Sequence, residues 1–224
     1  MPRLPLYLPV STLIFDMDGV ITDTMPYHMR AWKSVFTDAG LAVSHEDIYK
    51  REGQKGIDSA RELFTEKGIQ FNQKTARKLL KKKEILFKKI FKRKYIAGSR
   101  GFIKKCHAGG FKLALVTGTS RHEAQELLPQ ALWSCFDVIV CGSDVQNGKP
   151  HPEPYLKALA KLKVSASQAV VIENAPFGIR AAKAAGIFCV ALETSLDSSY
   201  LKNADIIFPS FKAMTSKVKF FLKP

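Results

Sequence analysis

The sequence predicts an α/β protein in which a doubly wound, Rossmann-like parallel sheet carries an inserted all-helical domain. Three observations predict it. Short segments that are apolar on both faces recur along the chain, as strands covered by helices on either side do. Amphipathic helical stretches alternate with them, the pattern of parallel strands joined by crossover helices. Residues 25–95, which follow the first such strand, show helical periodicity only.

Taken in order, Thr12–Phe15 (TLIF) is the first strand. PYHMRAWKSVFTDAG then sets Met29, Trp32, Val35 and Phe36 on one helical face, with Gly40 placed to stop the helix. Ser44, followed three residues later by Asp47, is a capping pattern for the next helix. A long helix over 75–95 gathers Ala76, Leu79, Leu80, Leu86, Phe87, Ile90 and Phe91 on one side. Strands at 113–116, Val138–Val140, 169–172, 189–192 and Ile206–Phe208 then alternate with helices at 100–108, 122–128, 152–161 and 177–185. The expected division is a core domain of residues 1–24 and 96–224 and a helical cap domain of residues 25–95.

Composition narrows the class. Hydrophobic residues make up 46% and charged residues 25%, which fits a soluble globular protein and not a disordered one. No apolar stretch nears the roughly 20 residues of a membrane span, so no membrane partner is expected. The start, MPRLPLYLPVSTLIF, is broken by Pro2, Pro5 and Pro9 and carries only Arg3 as a charge. It reads as a poor signal peptide, and a cytoplasmic address is expected. Cys106, Cys135, Cys141 and Cys189 are scattered without a C-x-x-C pair, which fits small core residues in a reducing compartment and not a zinc site.

The net charge is +15, and between residues 74 and 94 eleven basic residues face Glu84 alone. Such a field attracts anions, from phosphorylated metabolites to nucleic acid. The lysine run reads first as a solvated helix face. It offers few aromatic residues interleaved with the lysines, and no helix-turn-helix or RNA-binding pattern accompanies it, so a nucleic-acid partner is not expected. The expected assembly is a monomer.

Four segments set polar residues at or near the end of an expected strand. They are DMDG (Asp16, Asp18), TGTS (Thr117, Gly118, Thr119), NGKPHPEPY (Lys149) and EN (Glu173, Asn174). Strand carboxyl ends in this architecture open onto one crevice, so the four should meet in space. Asp16 is a carboxylate nucleophile able to form an aspartyl-phosphate. Asp18 lies two residues on, where it can protonate a leaving group and take a proton from an attacking one. Two carboxylates would repel a phosphate dianion, so the site calls for a divalent cation, and Mg²⁺ prefers hard oxygen ligands. Asp16, the main-chain carbonyl of Asp18, and Glu173 or Asn174 are the candidate ligands. Lys149 supplies a fixed positive charge; Thr117, the amide of Gly118 and neighbouring Thr119 supply donors where a loop starts a helix.

With its D-x-D, strand-end threonine, lysine and acidic pair, the chain resembles phosphotransferases of the haloacid dehalogenase superfamily. DGVITDT followed by YHMRAW is particularly similar to beta-phosphoglucomutase and its phosphatase relatives. The resemblance implies that Asp16 is the nucleophile, Asp18 the acid/base, Thr117 and Lys149 the phosphate holders, and Asp16, Asp18, Glu173 and Asn174 the Mg²⁺ site. It also likens His28 to a hinge histidine that contacts the acid/base aspartate; a structural histidine is the other reading. The implied activity is Mg²⁺-dependent hydrolysis of a small phosphorylated metabolite, a sugar phosphate for preference. A beta-phosphoglucomutase-type mutase is the alternative, and a polyanion binder using the basic helix ranks below both.

Two departures stand out. The acidic pair is Glu173–Asn174, whose amide brings no charge to a metal. Where the mutase carries a cap arginine for a second phosphate, this chain has Gly56, with Lys55 beside it as the expected substitute. The plainer readings make Asp23 a helix cap, Trp32 core packing, Asn174 a turn residue, and Arg121 and His122 the start of a helix.

Overall fold

β2 (Thr12–Phe15) is buried at every residue and lies inside a six-stranded sheet. The computed structural model describes residues 5–51 and 53–222. On one side of β2 come β3 (Lys112–Val116) and then β4 (Val138–Val140). On the other side come β5 (Ala169–Glu173), β6 (Phe188–Leu192) and β7 (Ile206–Phe208). Every neighbouring pair is parallel, and Phe15 lies alongside both Leu115 and Ile172. The chain winds outward through β3 and β4 and returns to the far side of β2 with β5. The order of strands therefore reverses at the carboxyl end of β2, where doubly wound sheets bind their ligands.

The period-two alternation of strands assigns each face its core. Leu13, Phe15, Leu113 and Leu115 pack toward α5 (Ser99–Ala108), α6 (Arg121–Leu127), α7 (Gln130–Trp133) and α10 (Phe211–Lys217). Ile14, Ala114 and Val116 pack toward α8 (Glu153–Leu162) and α9 (Pro176–Ala184). Cys106, Cys135, Cys141 and Cys189 are free and buried. A second, two-stranded parallel sheet pairs β1 (Leu6–Pro9) with β8 (Val218–Phe221), Leu6 opposite Val218. Sequence reading missed it because proline usually argues against a strand; here β1 belongs to a two-stranded sheet and is an edge strand, where Pro9 is tolerated.

Between β2 and α5 the described residues form four helices and no strand of the sheet: α1 (Met25–Asp38), α2 (His45–Tyr49), α3 (Gly56–Glu66) and α4 (Gln73–Ile90). They share a core of their own, in which Trp32 stacks on Phe36 at 4.9 Å and Leu63, Phe64 and Leu79 close the far side. Fully burying a side chain of that size stabilises by about 1.5–3 kcal/mol. Ser44 and Asp47 form the reciprocal capping box that their spacing announces. α4 ends at Ile90, short of the expected 95. Its lysine-rich sequence contains no local stop signal; the stop is tertiary. Lys94 O accepts from Asp23 N at 2.9 Å, Ile96 N donates to Ile21 O at 3.0 Å, and Tyr95 bridges to Thr22, which ties the chain back to the core. Among the described residues no helix is long and apolar enough to cross a membrane.

Candidate active site

Asp16 is the first residue past β2, and its amide continues the ladder to Ile172 O at 3.1 Å before the strand ends. Lys149 Nζ donates to Asp16 Oδ1 at 2.6 Å, to Glu173 Oε1 at 2.7 Å and to Val116 O at 3.1 Å, so one ammonium joins the ends of β2, β3 and β5. All three charged groups are essentially sealed from solvent. Burial raises the carboxyl of Asp16 to about 8, outweighing the downward pull of Lys149; Asp16 and Glu173 in turn hold the ammonium charged above the ordinary lysine range. With both carboxylates ionised they outnumber the one ammonium in a dry site, so a further cation would favour the charged form of Asp16 that burial opposes.

Asp18 has a different environment. Its Oδ1 accepts from Thr24 Oγ1 and lies 3.4 Å from His28 Nε2, and its Oδ2 accepts from Thr119 Oγ1 at 2.9 Å. Burial raises its pKa, but His28, Thr24 and Thr119 overcome that and hold it at about 2. Thr24 occupies the N-cap position of α1, yet its hydroxyl accepts from no helix amide and donates to Asp18 instead. His28 keeps its place by stacking on Phe87 at 4.2 Å. Thr117 continues β3 through its amide to Val140 O at 3.0 Å, and its hydroxyl accepts from Thr119 N at 3.1 Å.

The cap sits directly on this crevice. A Cβ at Gly118 would meet Gly53 O at 2.2 Å, and one at Gly53 would lie 3.2 Å from Lys149 Cδ and 3.8 Å from Asp16 Oδ1. Gly53 also has φ +78, so glycine answers both a backbone and a steric demand. Beside the contact lies a cavity of about 280 Å³, with Asp18, His28, Trp32, Lys83, Thr119 and Glu123 in its wall.

Comparison with known proteins bears directly on this arrangement. The family described as haloacid dehalogenase-like hydrolase matches residues 13–192. The chain belongs to this family. It is 35% identical over 183 residues to a phosphorylated carbohydrates phosphatase of Thermotoga maritima, covering 80% of this chain and 82% of that one. It is 29% identical over 189 residues to beta-phosphoglucomutase of Bacillus subtilis, covering 82% and 83%. In fold it resembles the crystal structure of beta-phosphoglucomutase from Clostridium difficile, with a TM-score of 0.79, 24% identity, and 93% and 96% of the two chains covered.

In this haloacid dehalogenase-like hydrolase two buried oxygens bear on a metal. Asp16 Oδ2 and Asn174 Oδ1 have no hydrogen-bond partner, although the amide nitrogen of Asn174 is held by Ser195 Oγ at 2.8 Å. Buried oxygens of this kind are costly unless something binds them, and hard oxygen donors suit Mg²⁺. Glu173 does not fit the ligand role expected of it. Its Oε1 accepts from Lys149 and, at 3.0 Å, from Tyr155 Oη; its Oε2 accepts from the amides of Asn174 and Ala175 at 2.8 and 3.1 Å. Every acceptor direction is filled, and the carboxylate serves to position Lys149. Among the described residues no three His, Cys, Asp or Glu side chains gather where they could hold a metal; the oxygens that could face a cation here are those of Asp16 and Asn174 and the carbonyl of Asp18.

The structure corrects several other expectations. Lys55 was expected to reach a distal phosphate. Its Nζ instead donates to Val145 O and, at 2.8 Å, to Gln146 O, which fastens the cap to a core loop. Asp23 pairs with Lys94 at 2.6 Å and caps nothing. Arg121 is held by Ile139 O and Asp144, and exposed His122 pairs with Glu126, so both follow the plain reading. Trp32 both packs and faces the cavity. Sequence reasoning missed Tyr155, Thr24 and Gly53, and Gly178 as well, where a Cβ would fall 1.6 Å from Glu173 Oε1. It also filed Lys83 with the solvated lysines, whereas Lys83 is buried.

Proposed function

We propose that this hydrolase is a Mg²⁺-dependent phosphatase that acts on a small phosphorylated metabolite, a sugar monophosphate for preference, with residues 25–95 serving as its cap. The observation that carries this reading is the buried Asp16, joined through one oxygen to Lys149 and unpartnered at the other, beside an ionised Asp18. The similarity to a phosphorylated carbohydrates phosphatase supports the substrate class.

In the first half-reaction a carboxylate oxygen of Asp16 attacks phosphorus, the ester P–O bond breaks, and Asp18 gives its proton to the departing alkoxide. A substrate dianion beside Asp18 favours the protonated form needed here, against the hydrogen bonds that hold it ionised. In the second half-reaction Asp18 takes a proton from water, the resulting hydroxide attacks phosphorus, and the acyl–phosphate bond breaks to release phosphate and restore Asp16. Lys149 and the loop of Thr117 and Gly118 face the charge that spreads over the phosphoryl oxygens. Asp16, the Asp18 carbonyl and Asn174 would hold Mg²⁺, which when bound neutralises charge at the transferring group. Gly53 and Gln54, seated on Gly118, exclude bulk water while the cap is closed.

A phosphomutase uses the same residues but must grip a second phosphate. The guanidinium of Arg51, in the wall of the cavity, is already bound by Glu62, Glu66 and Asp47 O, and Lys55 is held by the core loop. The test is product analysis with glucose 1-phosphate, with and without glucose 1,6-bisphosphate. Phosphate release that requires Mg²⁺ and vanishes in Asp16→Asn is expected; faster formation of glucose 6-phosphate than of free phosphate would replace this reading with the mutase.

A further inference from the structure

Lys149 carries the positive charge of the site, yet it sits on neither a strand nor a helix. β4 ends at Val140 and α8 begins at Glu153, and Lys149 lies in the connection between them, past a single helical turn at Gly142–Asp144. Its ammonium must nevertheless meet Asp16 Oδ1 at 2.6 Å, Glu173 Oε1 at 2.7 Å and Val116 O at 3.1 Å, so a small shift of the connection breaks bonds inside a sealed site. Glu153 steadies the connection from the core. Its Oε1 accepts from Gln146 N at 2.7 Å, and its Oε2 accepts from Asn147 N at 2.8 Å and Asn147 Nδ2 at 3.0 Å.

A further tether comes from the cap. The carbonyls of Val145 and Gln146 both accept from Lys55 Nζ, the second at 2.8 Å. Lys55 is the N-cap residue of α3, and its own carbonyl accepts from Asp58 N at 2.9 Å and Ser59 N at 3.0 Å, so the ammonium reaches out from a fixed base. Its stem crosses Gly148, where a Cβ would meet Lys55 Cγ at 2.9 Å. Gly53 in turn lies over the Lys149 side chain, a Cβ there falling 3.2 Å from Lys149 Cδ. Residues 53 and 55 of the cap thus straddle residues 148 and 149 of the core. A lysine that only fastened the cap could use any carbonyl of the core; this one uses carbonyls of the loop that delivers Lys149.

We propose that Lys55 is a positioning residue for Lys149: as the cap closes, its ammonium gathers the Val145 and Gln146 carbonyls and sets the loop so that the Lys149 ammonium reaches Asp16. Closure of the cap and assembly of the charge that holds the phosphate are then one event. This rests on the phosphatase reading and adds to it a residue that acts through Lys149 and not on the substrate. An ammonium suits the task because its rotatable donors let carbonyls of successive residues share it, and bonds from a charged donor are stronger than neutral ones. With the cap open, the Glu153 bonds still hold the amides of Gln146 and Asn147, but the carbonyls of Val145 and Gln146 lose their common donor.

The experiment measures kcat/KM with Mg²⁺ for glucose 6-phosphate and for phenyl phosphate in the wild type, Lys55→Met, Glu153→Gln, Gly118→Ala and Lys55→Met/Gly118→Ala. Thermal melting corrects each rate for the folded fraction. Hydrogen bonds from a charged donor are worth enough that Lys55→Met should lower kcat/KM about tenfold or more, by the same factor on both esters. Glu153→Gln loosens the same loop from the core side and should lower it several-fold on both. With Gly118→Ala already holding the cap off, Lys55→Met should cost no more than about twofold further. A loss confined to the glucose ester would overturn the proposal, because Lys55 would then read the substrate. So would rates within about twofold of wild type in either Lys55→Met or Glu153→Gln, or a Lys55→Met loss undiminished in Gly118→Ala. Failure of the phosphatase reading looks different: neither ester releases phosphate in a Mg²⁺-dependent way, and Asp16→Asn matches the wild type.

Discussion

Gly118→Ala tests whether closure of the cap on the core limits turnover. The new methyl carbon would fall 2.2 Å from Gly53 O, 2.7 Å from Gly53 C and 2.9 Å from Gln54 O. These are backbone atoms, so no rotamer change can clear them, and the two loops must part by most of an ångström. Neither α3 nor the sheet needs to unfold for this, because the cap can stand off as a unit on its own core. Overpacking of this kind costs about 1–3 kcal/mol, charged here to the closed state alone. If the closed state is the reactive one, kcat/KM falls by roughly five- to a hundredfold. The assay is steady-state phosphate release alongside thermal melting. Activity within about twofold of wild type, or a fall in Tm that accounts for the lost activity, would refute the argument. Gly142→Ala is the contrast: there the methyl meets Gly118 O at 2.1 Å within the core itself, so melting temperature should fall as well.

Lys149→Met leaves Asp16 and Glu173 buried without a cation, which should cost about 3–5 kcal/mol and lower the melting temperature by roughly 6–20 °C; the loss should shrink in Lys149→Met/Glu173→Gln, and an unchanged melting temperature would refute it. Asp18 is held at about 2 against the ordinary 3.8, so its contribution is complete above pH 3.8 and is lost as pH falls toward 2. Acid unfolding should therefore be less steep across that window in Asp18→Asn, by on the order of 2 kcal/mol, and a curve parallel to wild type would count against the Thr24–His28–Thr119 network. Asn174→Asp adds a charge where an oxygen already lacks a partner, and the Mg²⁺ concentration at half-maximal rate should drop several-fold. No change there would remove Asn174 from the ligand set.

The residues of the candidate site were legible because each depends on its place in the strand–loop pattern. Strand ends in a doubly wound sheet converge whatever the details, so Asp16, Thr117 and Lys149 could be brought together on paper before any distance was known. The capping box at Ser44 and the stop at Gly40 were equally legible, since both are written in a few adjacent residues. Tertiary structure decided the rest. The end of α4 at Ile90 is set by bonds from Lys94 and Ile96 to residues near the end of β2, and no local signal marks it. Lys55 and Lys83 look alike in a basic sequence, yet one fastens the cap to carbonyls of the core and the other is buried against Trp32 and Phe87. Glu173 and Asn174 are neighbours whose roles divide because Tyr155 and Lys149 fill the acceptor directions of the first and leave one oxygen of the second free. Sequence periodicity fixes which strands and loops a chain will have; which oxygen remains unpartnered depends on side chains far apart in sequence competing for the same few ångströms.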